Sequence, residues 1–394
     1  MQTERARTAV VPEDYRTRML VVLSLGWAAL QTGRFLLPPL LPSIQADLGL
    51  SSAAVGLALT GFGLVYAVTQ YPAGSYSDQL SRATLLVPGF LVLLAGVVLL
   101  GLAVGPLVFL AGLVLLGVGK GLYASPSRAL LGDLYAGSRA RALGIYSAGT
   151  DVGGLAAAGI AAVVLATTTW RVAFVPVVVV LALLTLLYVL WTRESVERGR
   201  PGLDPRGTVG RVWATREQRT VIAAFTLFYF VVGGLTNFYP TLLVQAKGFP
   251  EPAAGGTYAV IFLVGLGMKP VAGTLADRLP GLLVAVAGLL AGALGVVVLV
   301  LAGGYPAIVL GTVLAAAGYK AQFPIADTVV IDAAPAESMG GDLGAARAAY
   351  LVGGALGPGF VGVVATVAGY PVAFLGLAAC LLCSAALLLL QYRR

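Results

Sequence analysis

Apolar residues dominate the chain in long runs that short polar segments interrupt. Each run of about 20 residues is long enough to cross a bilayer as a helix that rises about 1.5 Å per residue. The runs cover residues 19–42, 52–74, 83–104, 106–131, 142–166, 170–192, 219–245, 253–276, 281–302, 305–331, 343–368 and 370–390. The pattern therefore predicts an all-α membrane protein with twelve transmembrane helices.

The longest polar segment, residues 193–218, divides the predicted helices six and six. We expect no cleavable signal peptide, because the first apolar run is long enough to span and more spans follow it. The predicted organisation is an N-terminal tail at 1–18, a six-helix bundle at 19–192, a linker at 193–218, a second six-helix bundle at 219–390 and a C-terminal tail at 391–394.

Composition supports a membrane protein and argues against several other classes. The 394 residues are 59% hydrophobic and 11% charged, whereas soluble domains carry about 25% charged residues. The net charge of +8 is spread over short loops, so we predict no nucleic-acid partner. Cys380 and Cys383 lie in an apolar run without another soft ligand, which predicts no metal, and we expect no cofactor and a monomer.

The arginines predict the orientation of the helices. If the N-terminus is inside, 19 basic residues fall on inside loops and tails, and only Arg171 and Lys247 fall outside. The positive-inside rule then places both termini and the linker in the cytoplasm, with the protein in the cytoplasmic membrane.

An internal repeat relates the two halves. Three segments return about 200 positions later: 170–174 as 370–374, 153–154 as 353–354, and 74–80 as 273–279. Because each half has an even number of helices, both halves have the same orientation, and the repeat axis lies along the membrane normal. A binding site is then expected between the halves, near the middle of the bilayer.

The repeated loop resembles the signature G-x-L-A-D-[RK]-x-G-[RK]-[RK] of the major facilitator superfamily. Its first copy keeps Gly74, Asp78 and Arg82, and its second copy keeps Gly273, Leu275, Ala276, Asp277 and Arg278. The segment from Asp133 through Arg139, Arg141 and Gly144 to Trp170, Arg171 and Phe174 is also similar to the fourth-to-sixth helix pattern of that family. The resemblance covers the whole chain.

This resemblance implies a transporter in which two six-helix bundles rock about a cavity lined by the first, fourth, seventh and tenth helices. It also implies a cytoplasmic gate held by Asp78 and Asp277 with the neighbouring Arg82 and Arg278; the alternative is that the two carboxylates only cap turns. Lys269 precedes Pro270 and the second loop copy, which favours a gating or structural role for it.

Charged residues inside apolar runs mark the candidate site, because a charge at the bilayer centre costs about 2.5–3.5 kcal/mol on insertion scales. Lys120, Lys320 and Asp151 are predicted near mid-depth, and Arg34 in the outer half. The set is completed by Lys269 and Asp327, which are predicted toward the inner face. Cations outnumber carboxylates in this set, which predicts that Arg34, Lys120 and Lys320 bind an anionic small-molecule substrate.

Structural roles for these residues are the alternative. Lys120 could pair with Asp151 on the next helix, and a water molecule or a third group could bridge Lys320 and Asp327. Arg34 could extend toward the outer interface.

Three polar residues are candidates for coupling or for substrate contact. Asp151 is the candidate for coupling transport to a proton or another ion, because burial and a nearby lysine act on a carboxyl group in opposite directions. Asn237 and Tyr239 precede Pro240 and could hydrogen-bond substrate; equally, they could satisfy backbone groups that the proline frees.

The glycines of the eleventh run, from Gly353 to Gly362, resemble the family's antiporter signature, but that signature belongs on the fifth helix. We expect these glycines to allow close helix packing. The sequence therefore predicts a secondary transporter for a small organic or inorganic anion, and not an enzyme. The alternatives are a proton-coupled efflux antiporter for lipophilic compounds, in which Asp151 dominates binding, and a membrane sensor that transports nothing.

Overall fold

The computed structural model describes residues 12–197, 199, 216–276, 278–332 and 339–392. Side chains are described in these ranges except at Tyr71, Ser75, Asp78, Ala140, 327–332 and 339–348. This part of the chain contains 12 helices that are long and apolar enough to cross a membrane. The predicted fold class is therefore confirmed.

Helices form because a bilayer offers no water to the backbone, so each span must satisfy its N–H and C=O groups internally. The helices are α1 (Glu13–Leu48), α2 (Ser52–Gln79), α3 (Ala83–Gly101), α4 (Pro106–Leu134), α5 (Arg139–Thr167), α6 (Val175–Trp191), α7 (Arg216–Thr241), α8 (Glu251–Ala276), α9 (Gly281–Leu301), α10 (Tyr305–Asp332), α11 (Met339–Ala368) and α12 (Tyr370–Tyr392). A 3₁₀ turn (Trp170–Phe174) precedes α6, and a π turn (Leu242–Ala246) follows α7.

Several helices extend beyond the apolar runs that predict them. The first run covers 19–42, but α1 spans Glu13–Leu48. Its first turn contains Glu13 and Asp14, and negative charge is favourable at a helix N-terminus. Gly49, at φ 63°, ends the helix in the left-handed conformation that glycine adopts without strain. Helical turns at the polar ends need no apolar residues, so hydropathy alone does not detect them.

The helices form two bundles, α1–α6 and α7–α12, with matching contacts. In the first bundle α1 packs on α5, α3 on α4, and α2 on α4; in the second α7 packs on α11, α9 on α10, and α8 on α10. Across the interface α2 packs on α11 and α8 packs on α5. These two contacts are related by the pseudo-twofold axis of the predicted parallel repeat.

We call the end of the molecule where α6 ends and α7 begins the linker face, and the opposite end the distal face. Hydrogen bonds join the bundles near the distal face. The Gln245 side chain donates to that of Gln45 at 3.0 Å, the hydroxyls of Ser52 and Tyr370 lie 2.6 Å apart, and Ser43 donates to Glu251. The bundles are therefore closed against each other at the distal face.

The helix α5 shows that the bundles separate toward the linker face. On the side of α5 that carries Asp151, Gly154 and Ala158 lie toward the distal face and are buried. Ser147 and Gly144, one and two turns toward the linker face, are exposed. The contact between α5 and α8 therefore ends at about the level of Asp151.

Candidate functional site

An ion cluster centred on Asp151 joins the two bundles at the middle of the molecule. Asp151 projects from α5, and its Oδ1 atom accepts a hydrogen bond from Lys320 Nζ of α10 at 2.7 Å. Its Oδ2 atom accepts a hydrogen bond from Lys269 Nζ of α8. Asp151 and Lys320 are buried, with side chains 2% and 3% exposed, whereas the Lys269 side chain is 29% exposed. One carboxylate of the first bundle thus meets two ammonium groups of the second, and the cluster keeps one positive charge.

Small residues make room for this cluster. A Cβ atom at Gly265 of α8 would lie 2.8 Å from Asp151 Oδ1 and 2.9 Å from Lys320 Cδ. A Cβ atom at Gly154 of α5 would collide with the ring of Phe262. Glycine at these two positions lets the backbones of α5 and α8 approach closely enough for the short Asp151 side chain to reach both lysines.

The alternative that pairs Lys120 with Asp151 is wrong, because Asp151 faces α8 and α10 rather than α4. Lys269, for which the sequence favours a gating or structural role, lies in this central cluster, and a gating role for it stays a prediction. The side chain of Asp327 lies outside the described part of the structure, so the predicted bridge to Lys320 stays a prediction.

Lys120 lies at the position of α4 that corresponds to Lys320, in a different environment. It is 6% exposed, and no carboxylate of the described residues lies within ion-pair distance of it. Its Nζ atom lies 4.3 Å from the ring centroid of Tyr66, 5.7 Å from that of Phe62 and 6.0 Å from that of Trp27. We call these three rings the aromatic cup. Cation–π contacts with them stabilise the ammonium without neutralising it.

Arg128 extends the positive charge toward the linker face. Its guanidinium carbon lies 5.2 Å from the ring centroid of Trp27 and 5.7 Å from that of Tyr146, and these two rings stack at 5.2 Å. Asp133, the acid nearest to Arg128 in the sequence, pairs with Arg82 at 3.0 Å. Lys120 and Arg128 are within electrostatic range of each other.

Arg34 lies farther from the end of its helix than the apolar run alone indicates. Arg34 lies 14 residues before Leu48, the last residue of α1, and Lys120 lies 14 residues after Pro106, the first residue of α4. Both residues therefore lie about 21 Å from the distal ends of their helices. Because α1 continues six residues past the apolar run at its distal end and also begins earlier, Arg34 still lies nearer the distal end of α1 than its beginning, and its position in the outer half stays a prediction. Arg34 is half-buried over the ring of Phe35 at 4.6 Å and is within electrostatic range of both Lys120 and Lys320.

Asn237 and Tyr239 use their polar groups inside the second bundle. The Asn237 amide donates to the carbonyl of Gly233 at 2.7 Å, and the Tyr239 hydroxyl bonds that of Thr312 at 2.6 Å. Pro240 lacks the N–H that would bond the carbonyl of Thr236, and the Tyr258 hydroxyl donates to that carbonyl at 3.0 Å. The freed carbonyl is thus satisfied by Tyr258, and not by Asn237 or Tyr239 as the alternative interpretation expects. Asn237 bonds within α7, whereas Tyr239, only 1% exposed, joins α7 to α10. Contact of either residue with substrate stays a prediction.

Two of the predicted gating residues, Arg82 and Arg278, lie at the linker face. Arg82 bonds Asp133 and the Ser77 side chain, both in its own bundle. Arg278 is exposed just after α8. Asp277 and the side chain of Asp78 lie outside the described part of the structure, so their gating role stays a prediction.

The sequence gives only a weak signal for the aromatic cup. Phe62 and Tyr66 are four residues apart and so share a face of α2, but aromatic residues in an apolar run look like lipid-facing or core positions. Their role depends on a lysine in another helix. No group of three or more His, Cys, Asp or Glu side chains that could hold a metal ion is found among the residues the structure describes.

Comparisons with known proteins agree with this architecture. A family model described as Major Facilitator Superfamily matches residues 23–305 and 268–394. The chain is similar to the hexuronate transporter of Bacillus subtilis (strain 168), with 23% identity over 52% of this chain and 51% of the relative. It is similar to a probable 4-methylmuconolactone transporter of Cupriavidus pinatubonensis (strain JMP 134 / LMG 1197), with 27% identity over 64% of this chain and 61% of the relative. The matched part therefore spans about half to three-fifths of these two relatives.

Solved structures match over nearly the whole chain. A bacterial homolog of the human lysosomal transporter Spinster, in an inward-facing and unoccupied conformation, superposes with a TM-score of 0.82 at 20% identity and covers 97% of this chain and 98% of that one. The human organic anion transporter MFSD10 (TETRAN) superposes with a TM-score of 0.71 at 18% identity, covering 96% of this chain and 100% of that one. At these identities the likeness concerns the fold.

Proposed function

The chain belongs to the Major Facilitator Superfamily, and from that premise we propose that it is a secondary transporter that carries a small anion by alternating access. Lys120 carries the proposal. It is a buried ammonium at mid-depth of α4 with no carboxylate partner in the described residues. An uncompensated buried charge is costly, and an anionic substrate that docks between the bundles would compensate it.

Arg34 and the central ion cluster add to this preference for anions. Arg34, Lys120 and the surplus charge of the Asp151 cluster lie at similar depth, so a bound anion would be attracted by both bundles. Two relatives carry names of organic acid transporters, hexuronate and sulfoacetate, which supports the same substrate class. A transporter for lipophilic cations would need carboxylates to dominate this region.

The Asp151 cluster suggests how binding is coupled to movement. Distal opening must separate α5 from α8, and it therefore pulls Asp151 away from Lys320 and Lys269. Breaking these ion pairs leaves buried charges unpaired, which costs free energy. An anion that binds Lys320, or a proton that binds Asp151, would compensate one of these charges and lower that cost. This retains Asp151 as the candidate coupling residue, now acting through Lys320.

The orientation is proposed from the arginine distribution, with the linker face in the cytoplasm. The distal closure then corresponds to a state closed toward the outside. In this state Asp78, Asp277, Arg82 and Arg278 would lie on the open side, and they would hold the bundles together after the reverse movement.

Uptake of radiolabelled anions into proteoliposomes tests the function. Lys120→Gln and Lys320→Gln should each abolish uptake, because each removes a charge that faces the substrate while keeping the side-chain stem. Lys247→Gln is the matched control, since this lysine donates to the carbonyls of Val300 and Ala302 near the distal face. Size-exclusion profiles in detergent check that all three variants fold.

Normal anion uptake by both site variants would contradict the anion assignment. Transport of lipophilic compounds that depends on Asp151 but not on the lysines would favour the efflux antiporter. Absence of any transport by the wild-type protein would favour the sensor.

A further inference from the structure

We infer that the transported anion has a flat, unsaturated body, such as an aromatic ring, next to its charged group, and that the aromatic cup around Lys120 selects it. This inference rests on the proposed function and makes its substrate class narrower.

The rings of the cup surround the ammonium that would bind the anion. Trp27 comes from α1, and Phe62 and Tyr66 come from α2, so two helices present rings to the Nζ atom of a third. The distances from Nζ to the three centroids lie between 4.3 and 6.0 Å. A carboxylate that reaches Lys120 Nζ therefore brings the atoms attached to it between these rings.

Three polar groups on rings in this region are bonded inside the first bundle. Trp27 Nε1 donates to the Thr150 hydroxyl at 2.9 Å. The Tyr146 hydroxyl bonds that of Ser127 at 2.8 Å, and the Tyr123 hydroxyl donates to the carbonyl of Leu23 at 2.6 Å. What Trp27 offers a ligand is thus its ring face, because its only donor is already used.

A polyhydroxylated anion fits this environment poorly. Each hydroxyl that enters without a partner loses its hydrogen bonds to water, which costs free energy. On the face of α1 that carries Trp27 and Arg34, Gln31 is 3% exposed, and its Oε1 atom is a buried acceptor without a partner in the described structure. One such acceptor suits a ligand with a single donor better than a sugar acid with several.

A flat body is favoured over a saturated one of the same size. Aromatic rings gain attraction from offset-stacked or edge-to-face contacts beyond the area they bury, and a puckered ring cannot stack in this way. The cup would therefore separate two carboxylates of equal charge and similar volume by shape alone.

Four probes separate these properties: benzoate, cyclohexanecarboxylate, glucuronate and benzamide. Benzoate is planar and anionic, and cyclohexanecarboxylate is saturated and anionic. Glucuronate is hydroxylated and anionic, and benzamide is planar and neutral. Binding to the purified full chain in detergent is measured by calorimetry, because protonated benzoic acid crosses bilayers unaided. We expect benzoate to bind about threefold to tenfold more tightly than cyclohexanecarboxylate. The difference in affinity between benzoate and glucuronate should be larger, and benzamide should not bind.

Variants at Tyr66 locate the selectivity. Tyr66→Leu should reduce benzoate affinity about threefold to tenfold while changing cyclohexanecarboxylate affinity less than twofold, since it replaces a ring by an aliphatic side chain. Tyr66→Phe keeps the ring and should retain the preference. Lys120→Gln should weaken both carboxylates at least about thirtyfold, because the charge partner is lost.

Each outcome has a distinct meaning. Glucuronate or cyclohexanecarboxylate binding as tightly as benzoate would overturn the inference and leave anion transport standing. Equal effects of Tyr66→Leu on both carboxylates would also overturn it. Failure of all three anions to bind, with Lys120→Gln indistinguishable from wild type, would overturn the proposed function as well.

Discussion

The two halves of the molecule place a lysine at the same point and surround it differently. Lys320 is bound by Asp151, which reaches it from the opposite bundle at 2.7 Å. Lys120 lies among aromatic rings, 4.3 Å from the centroid of Tyr66, with no carboxylate in reach among the described residues. A symmetric scaffold thus carries an asymmetric charge distribution, and the proposed anion would bind beside the uncompensated lysine.

The repeat shows which substitutions separate the halves. With the 200-residue spacing, Asp151 corresponds to Leu351. With the 199-residue spacing of the two loop copies, Gly265 corresponds to Tyr66. The positions beside Lys320 are therefore occupied by an acid and a glycine, whereas the corresponding positions for Lys120 are a leucine and a tyrosine. Leu351 lies one turn from Ala355, and Ala355 packs on Gly63 of α2. Gly63 lies about one turn from Tyr66, so Leu351 and Tyr66 are at similar depth.

The largest expected effect is loss of stability when Asp151 is replaced. Asp151→Leu leaves the buried Lys320 and the half-buried Lys269 without an acid, and breaking a buried pair costs about 3–5 kcal/mol. Thermal unfolding in detergent measures the loss. Adding Lys320→Leu should restore part of it, because the orphaned charge disappears; strictly additive losses would contradict the pairing.

The second-largest effect is expected from a substitution that gives Lys120 an acid, as Lys320 has. Leu351→Asp should place a carboxylate near Lys120 and compete with the anion, which reduces anion affinity on the order of thirtyfold. Leu351→Asn has the same size without the charge and should change affinity less than about threefold. Equal affinities of the two variants would show that position 351 does not act on Lys120.

A smaller effect is expected from filling the space beside Lys320. Gly265→Ala should lower the free energy of unfolding by about 1–3 kcal/mol, because the new methyl group meets Asp151 and Lys320. Gly267→Ala on the same helix meets nothing within 4 Å and should be neutral or stabilising by up to about 1 kcal/mol. Equal effects on thermal unfolding would mean that the cluster does not need the glycine.

The smallest effect lies outside both lysine environments. Tyr370→Phe removes the hydrogen bond to Ser52 at the distal face and should cost about 0.5–1.5 kcal/mol in thermal unfolding. Anion affinity should keep its dependence on Lys120 and Lys320. A change in that dependence would show that the distal contacts shape the site directly.

Part of the candidate site follows from sequence and part does not. Lys120, Lys320 and Asp151 stand out because charges in apolar runs are rare, and their depth follows from counting residues along each helix. The partner of Asp151 does not follow, because neighbouring helices in sequence suggest Lys120 whereas α5 packs on α8 of the other bundle. The sequence does not single out the aromatic residues Trp27, Phe62 and Tyr66, because aromatic residues are common in membrane helices. It does not single out Arg128 either, because Asp133 is a nearby acid.

The sequence by itself determined twelve helices, two related halves and a surplus of positive charge at mid-depth. These properties depend on the hydropathy, length and spacing of continuous segments, which do not change when helices are rearranged. Only the tertiary structure decided that Asp151 binds Lys320 and Lys269 and that Lys120 lies among aromatic rings. Those contacts join helices from distant parts of the chain, and they depend on which helix faces meet across the interface between the bundles.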